Sequence, residues 1–225
     1  MTDTPRDPVL RHVPATVHGR FLVQPGPAGA GAAWLVGFHG YAQSAASFLG
    51  PLARAVRSPR WRVASVQALH PFYAGRSTDV VANWMTRQDR ELAIADNVAY
   101  VDAVLDALAA EFGEPRALVL AGFSQGVAMA YRAAQLGRRT CAALAVAGGD
   151  LPPEFAAGAP RAWPRVLIAT GTGDEYYDPA HAERDAALVR GQGGEVRTLC
   201  FAGGHEWGDA VADGVAALLA EVGRA

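Results

Sequence analysis

Cysteine is scarce in this chain of 225 residues: Cys141 and Cys200 are the whole complement. Two thiols make no disulfide framework at that length, and each sits beside an apolar stretch, so buried free thiols are expected. An excess of charge of one sign is also lacking. Against 22 Asp and Glu stand 20 Lys and Arg, a formal charge of -2. Such a balance provides no field to draw a nucleic acid or an anionic membrane. No apolar run reaches the roughly 20 residues that span a bilayer. The polar residues from Met1 to Pro8 hold no signal-peptide core, so a cytoplasmic location is the expectation. Metal-ligand spacing is missing too: His205-Glu206 opens like a zinc motif, but Asp209 stands where its second histidine belongs. No cofactor and no metal are expected.

What is present is a globular composition, 51% hydrophobic and 19% charged, with no repeat, linker or cap-sized insertion. The length fits one domain over residues 1–225, with 1–14 as an N-terminal extension. Short β-rich runs at 34–38, 61–66, 117–121, 143–147, 165–169 and 196–201 alternate with longer stretches of helical spacing. The central runs are almost continuously apolar, as parallel strands covered on both faces must be. The clearest helix covers 89–111, with an apolar stripe broken by Asp102. Others follow Ser124, follow Asp178-Pro179, and close the chain. Alternation of this kind predicts an α/β fold, a mainly parallel central sheet with helices on both faces. Residues 15–23 read as an antiparallel edge strand, hairpinned onto the first core strand through the Pro/Gly/Ala-rich turn 25–31. Residues 70–86 form the longest irregular section and the best candidate for a binding-site wall.

Gly122-Phe123-Ser124-Gln125-Gly126 lies between a buried strand and a helix-forming run. Three fixed positions occur often by chance; the strand-to-helix context gives them meaning. A sharp turn there strains the central residue, and side chains at the flanking positions would clash, so glycine suits both. It presents the Ser124 hydroxyl at the carboxyl edge of the sheet, at a helix N-terminus that favours developing negative charge. The competing reading is a serine N-cap with incidental glycines.

A serine nucleophile needs a neutral imidazole, and the imidazole needs a carboxylate. Beyond Ser124 stand only His181, within a helical segment, and His205, after the last strand in a loop that Gly203 and Gly204 free to swing. His205 is the expected base. Asp174, in the strand-end loop after 165–169, is the expected acid. Asp178, which also suits a helix N-cap, and Asp150, at the end of the preceding strand, remain its rivals. The tetrahedral intermediate needs two N–H donors. The amides of Gln125 and of Tyr41, the latter beside Gly40 in the loop after the first core strand, are the candidates. His39 in that loop reads as structural, and the Gln43 side chain as a support.

These pieces resemble the phospholipase/carboxylesterase group of α/β-hydrolases, which includes bacterial carboxylesterases and acyl-protein thioesterases. The matching segments are Phe38-His39-Gly40, Trp84, the serine motif, the run from Ala147 to Pro152, Gly171-Thr172-Gly173-Asp174 and Gly204-His205. They fall in the family's order over roughly residues 30 to 222. Departures are Thr170 in place of the family's histidine, Met85-Thr86 after the tryptophan, and Ala147 in place of serine. The resemblance implies an α/β-hydrolase fold without a separate cap domain. It implies a serine carboxylic ester hydrolase for small or medium acyl esters, with an open site and no cofactor. An acyl thioesterase or lysophospholipase would use the same residues, and a non-catalytic small-molecule binding module would keep only the pocket. Trp84, Phe72, Tyr73 and Tyr176 are expected to line the acyl pocket. A homodimer is left open.

Overall fold

The structure is a computed structural model and describes residues 8–25 and 31–224. Seven strands form one sheet in the order β1-β3-β2-β6-β7-β8-β9. These are β1 (Phe21–Gln24), β2 (Ala33–Phe38), β3 (Trp61–Val66), β6 (Leu118–Phe123), β7 (Ala143–Ala147), β8 (Arg165–Gly171) and β9 (Val196–Phe201). All pairings are parallel except that of β1 with β3. Strands β2, β3, β6 and β7 are buried at every position, which is why their sequences run apolar without alternation. The outer strand β9 is only partly covered.

Parallel neighbours need crossovers, and four of the five helices among the described residues lie in them, while the fifth follows the last strand. The five are α1 (Ala45–Ala53), α2 (Arg90–Phe112), α3 (Gln125–Leu136), α4 (Pro179–Gly191) and α5 (Asp209–Val222). Residues of α2, α3 and α4 pack with Trp34, Val36 and Phe38 on one face. Those of α1 and α5 pack with Ala33 and Leu35 on the other. Successive β2 residues thus feed opposite cores, as the strand period requires. Asp102, the break in the apolar stripe of α2, accepts the Arg138 amide at 2.8 Å, so its carboxylate closes the end of α3.

Several expectations need correction. The edge strand begins at Phe21, not 15, and pairs with β3 instead of β2. Both edges of β2 are already taken by β3 and β6, so no hairpin onto it is available. Most of the proposed turn, 26–30, lies outside the described residues, as do residues 1–7 of the N-terminal extension. Residues 70–86 are not irregular: β4 (His70–Tyr73) and β5 (Val80–Asn83) form an antiparallel hairpin. That hairpin is tied to the loop after β2, where Ala82 N–H donates to Gln43 O at 2.8 Å and Ala42 N–H to Ala82 O at 3.1 Å. Cys200 is exposed on the edge strand β9, while Cys141 is half-buried; both are free. No helix among the described residues is long and apolar enough to cross a membrane.

Candidate active site

At the carboxyl end of β6 the backbone turns sharply into α3, and Ser124 occupies the turn with φ 53° and ψ -120°. L side chains rarely take such angles. A methyl group on Gly126 would collide with the Phe38 carbonyl, and one on Gly122 with the Gly126 carbonyl, so the turn packs against the end of β2 only because both are glycine. Ser124 makes no side-chain capping bond to α3. The N-cap reading therefore fails, and the hydroxyl is left for another partner.

That partner is His205, whose Nε2 lies 2.8 Å from Ser124 Oγ. Its Nδ1 faces Asp174, 2.9 Å from Oδ2 and 3.1 Å from Oδ1. Asp174 stands just beyond β8 and His205 just beyond β9, so strand ends bring them to Ser124. The Asp174 side chain is 1% exposed, and its Oδ1 also accepts the Tyr176 and Tyr177 amides, each at 2.9 Å. Thr170 donates its hydroxyl to Tyr177 O at 2.6 Å, pinning the far side of the same loop. Gly148, at φ 67°, lies beneath the imidazole: a Cβ there would stand 2.9 Å from His205 Cε1. The rival acids are elsewhere engaged or exposed. Asp178 caps α4 through the His181 amide at 2.8 Å and faces the His181 ring, and Asp150 is exposed on a neighbouring loop.

The loop after β2 abuts Ser124, since a Cβ on Gly40 would come within 3.1 Å of Ser124 Cβ. Gln43 Oε1 accepts the Gly40 amide at 2.7 Å, and this fixes the turn. The Tyr41 and Gln125 amides have no protein acceptor among the described residues, and both residues line the cleft beside Ser124. The Gln125 amide is also one of the unclaimed N–H groups that open α3. His39 is fully buried, with Nδ1 donating to Gly40 O at 2.8 Å and Nε2 accepting the Ala68 amide at 3.1 Å. That pattern needs the neutral ring, and burial lowers its pKa further, beyond what the Gly40 bond restores. His39 is a structural spacer.

The cleft has a volume of about 600 Å³. Of the four aromatics expected in it, only Tyr176 lines it, 78% exposed and edge-on to His205 with ring centroids 4.9 Å apart. Trp84 is 0% exposed and donates Nε1–H to His39 O at 2.8 Å; it belongs to the core beneath the site. Phe72 touches Tyr41, centroids 5.6 Å apart, without lining the cleft. Tyr73, next along β4, alternates outward into solvent. The residues missed from the sequence are polar. The Gln125 side chain accepts from Trp84 N–H at 3.0 Å and donates to Asn83 Oδ1 at 2.6 Å and Met85 O at 2.9 Å. Arg132, nearly buried, lines the cleft from α3. Gln125 was visible as the residue after Ser124, but nothing marked its side chain. No cluster of metal-ligating side chains occurs among the described residues.

Comparison with protein-family models and with curated protein sequences gives no match. Solved structures do match. The esterase PE8 is 25% identical with a TM-score of 0.73, over 92% of this chain and 100% of that one. The acyl-protein thioesterase 2 of Zea mays is 18% identical with a TM-score of 0.68, over 91% and 99%. The Bacillus cereus carboxylesterase is 18% identical with a TM-score of 0.67, over 90% and 94%. The chain has the α/β-hydrolase fold that these esterases and thioesterases share. The likeness agrees with the resemblance to phospholipase/carboxylesterase-type α/β-hydrolases.

Proposed function

We propose that this chain is a serine carboxylic ester hydrolase acting on small or medium acyl esters through a Ser124-His205-Asp174 triad. The observation that carries the reading is the pair of contacts at His205, 2.8 Å to Ser124 Oγ and 2.9 Å to Asp174 Oδ2. His205 Nε2 takes the Ser124 proton as Oγ attacks the ester carbonyl, while Asp174 holds the Nδ1–H tautomer and the imidazolium that forms. The Tyr41 and Gln125 amides receive the oxyanion, each such donor contributing about 2.7–4 kcal/mol in comparable sites. Collapse expels the alcohol, protonated from His205, and leaves an acyl-Ser124 ester. Water, deprotonated by the same imidazole, attacks that ester and releases the acid.

An open cleft, with no separate cap among the described residues, supports small or medium acyl groups, and its mouth by Tyr176 is wide to solvent. Hydrolysis of short-chain p-nitrophenyl esters by the wild type and Ser124→Ala tests the proposal. Activity is expected in the wild type and loss to background in the variant; equal rates, or two inert proteins across a broad ester panel, refute it. A fluorophosphonate should label Ser124. A protein that binds small molecules without catalysis would stay unlabelled.

A further inference from the structure

Arg132 is the one cation lining the cleft among the described residues. It lies eight residues past Ser124 in α3, about 12 Å further along the helix axis. Helical side chains lean toward the N-terminus, and this one does. Its Nη1 reaches Met85 Sδ at 3.0 Å, while Met85 O accepts from Gln125, the residue beside the nucleophile. The guanidinium is therefore held beside Met85, on the side of the cleft that Gln125 shares.

Its donors are unevenly used. Nε–H donates to Glu154 Oε1 at 2.7 Å, and one Nη1–H meets the weak acceptor Met85 Sδ. Nη2 has no protein acceptor among the described residues, yet it is not among the sealed atoms. The residue as a whole is 3% exposed. Glu154 serves Arg90 Nη2 at 2.8 Å as well, and Arg90 Nη1 also donates to Glu91 Oε1 at 3.0 Å, so the carboxylate nearest Arg132 is divided between two guanidinium groups. Asp150, the other anion on the cleft, is exposed and hydrated, so its charge is screened.

We propose that Arg132 determines specificity, selecting acyl groups that carry a carboxylate at their far end over plain alkyl chains of the same length. This rests on the reading of Ser124 as the nucleophile. An alkyl terminus leaves Nη2 without a partner once water is displaced, whereas a carboxylate oxygen accepts from it in a charge-assisted hydrogen bond. A site built to satisfy such donors discriminates strongly against the analogue that lacks the acceptor.

The test compares kcat/KM for the p-nitrophenyl monoester of adipic acid and for p-nitrophenyl hexanoate, a matched six-carbon pair, with spontaneous hydrolysis subtracted. The ratio of the two cancels any loss of active enzyme. Arg132→Gln should lower the acid-to-alkyl ratio about tenfold. Glu154→Gln, which releases Arg132 from its carboxylate, should raise it; a merely structural ion pair would leave the ratio at its wild-type value in both. An unchanged ratio in Arg132→Gln, or a ratio that fails to rise in Glu154→Gln, overturns the inference, and Glu154→Gln alone decides if the arginine variant does not fold. Fluorophosphonate labelling separates the two levels. Labelled Ser124 with an unmoved ratio sinks the role of Arg132 alone, while absent labelling with neither ester cleaved sinks the hydrolase reading and this inference with it.

Discussion

The strain at Ser124 is measurable by comparing two substitutions at that position. Ser124→Ala and Ser124→Gly both remove the 2.8 Å contact from Oγ to His205, so that loss cancels between them. What differs is the backbone. At φ 53° and ψ -120° an alanine retains a strain of about 1–3 kcal/mol, which a glycine does not feel. Against this, glycine loses about 0.5–1 kcal/mol more conformational entropy on folding. The balance favours Ser124→Gly by about 1.5 kcal/mol, the reverse of the usual order of these residues. In a protein of this size that is roughly 3–6 °C in melting temperature. Urea unfolding followed by circular dichroism reads the difference as a shift in midpoint at a common slope. Both variants should be inactive. If the alanine protein proves as stable as the glycine protein, or more so, the backbone at Ser124 is not strained.

The competing acids separate by variant kinetics. Asp174→Asn should lower kcat by about 10⁴ through the wrong imidazole tautomer. Asp178→Asn, by weakening the cap of α4, should move stability by at most about 1 kcal/mol and keep turnover; the opposite pattern in p-nitrophenyl ester assays would move the acid to Asp178. A pH effect on stability comes from Asp185, whose Oδ2 accepts the Leu151 amide at 2.8 Å and the Tyr177 hydroxyl at 3.0 Å. Burial raises its pKa above the model-peptide 3.8 against those two bonds, with Asp150 adding to the rise. The folded state thus holds this proton more tightly than the unfolded chain. Its stabilisation is full below 3.8 and lost as pH climbs through the raised folded value. Asp185→Asn should therefore gain stability relative to wild type between pH 4 and 7, and a difference that stays flat across urea titrations in that range would refute the assignment.

Buried parallel strands were readable because burial on both faces leaves one solution, a continuous apolar run. The central strands β2, β6, β7 and β8 were found in this way, and β3 and β9 through their β-rich residues, all within two residues at each end. Where burial is partial, the pattern thins. The four-residue strands β4 and β5 alternate between exposed and half-buried positions, and such short pieces look like loop. Helix α1 escaped notice because its capping box uses Ser47 where a glutamate or glutamine would flag it, and because Pro51 sits inside it. Strand β1 was found, but not its neighbour. A pairing partner is a property of the whole sheet, and the edge of β3 is free only because β6 occupies the other side of β2.

The site divides along another line. Ser124, Asp174 and His205, which the fold brings into contact, were singled out by residue type, position after a strand, and the glycines that clear their backbones. Of the groups that hold those side chains in place, the Gln43 side chain was anticipated as a support, and it binds the Gly40 amide. The others were not, and one physical reason covers them: Gln125 binds the backbone of Trp84 and Met85, Asp174 binds two amides of its own loop, and Asp185 binds the Leu151 amide. In each pair one partner is a main-chain group, which nearly every residue possesses, so the partner leaves no mark in the sequence. Trp84 misled for the related reason that its indole N–H is satisfied by a main-chain carbonyl, His39 O. An aromatic with a buried acceptor belongs to the core, and only the fold reveals the acceptor. Arg132 is the mirror case. Arginine on a helix reads as a solvated residue, and only the fold shows that Glu154, 22 positions on, draws it into the wall of the cleft.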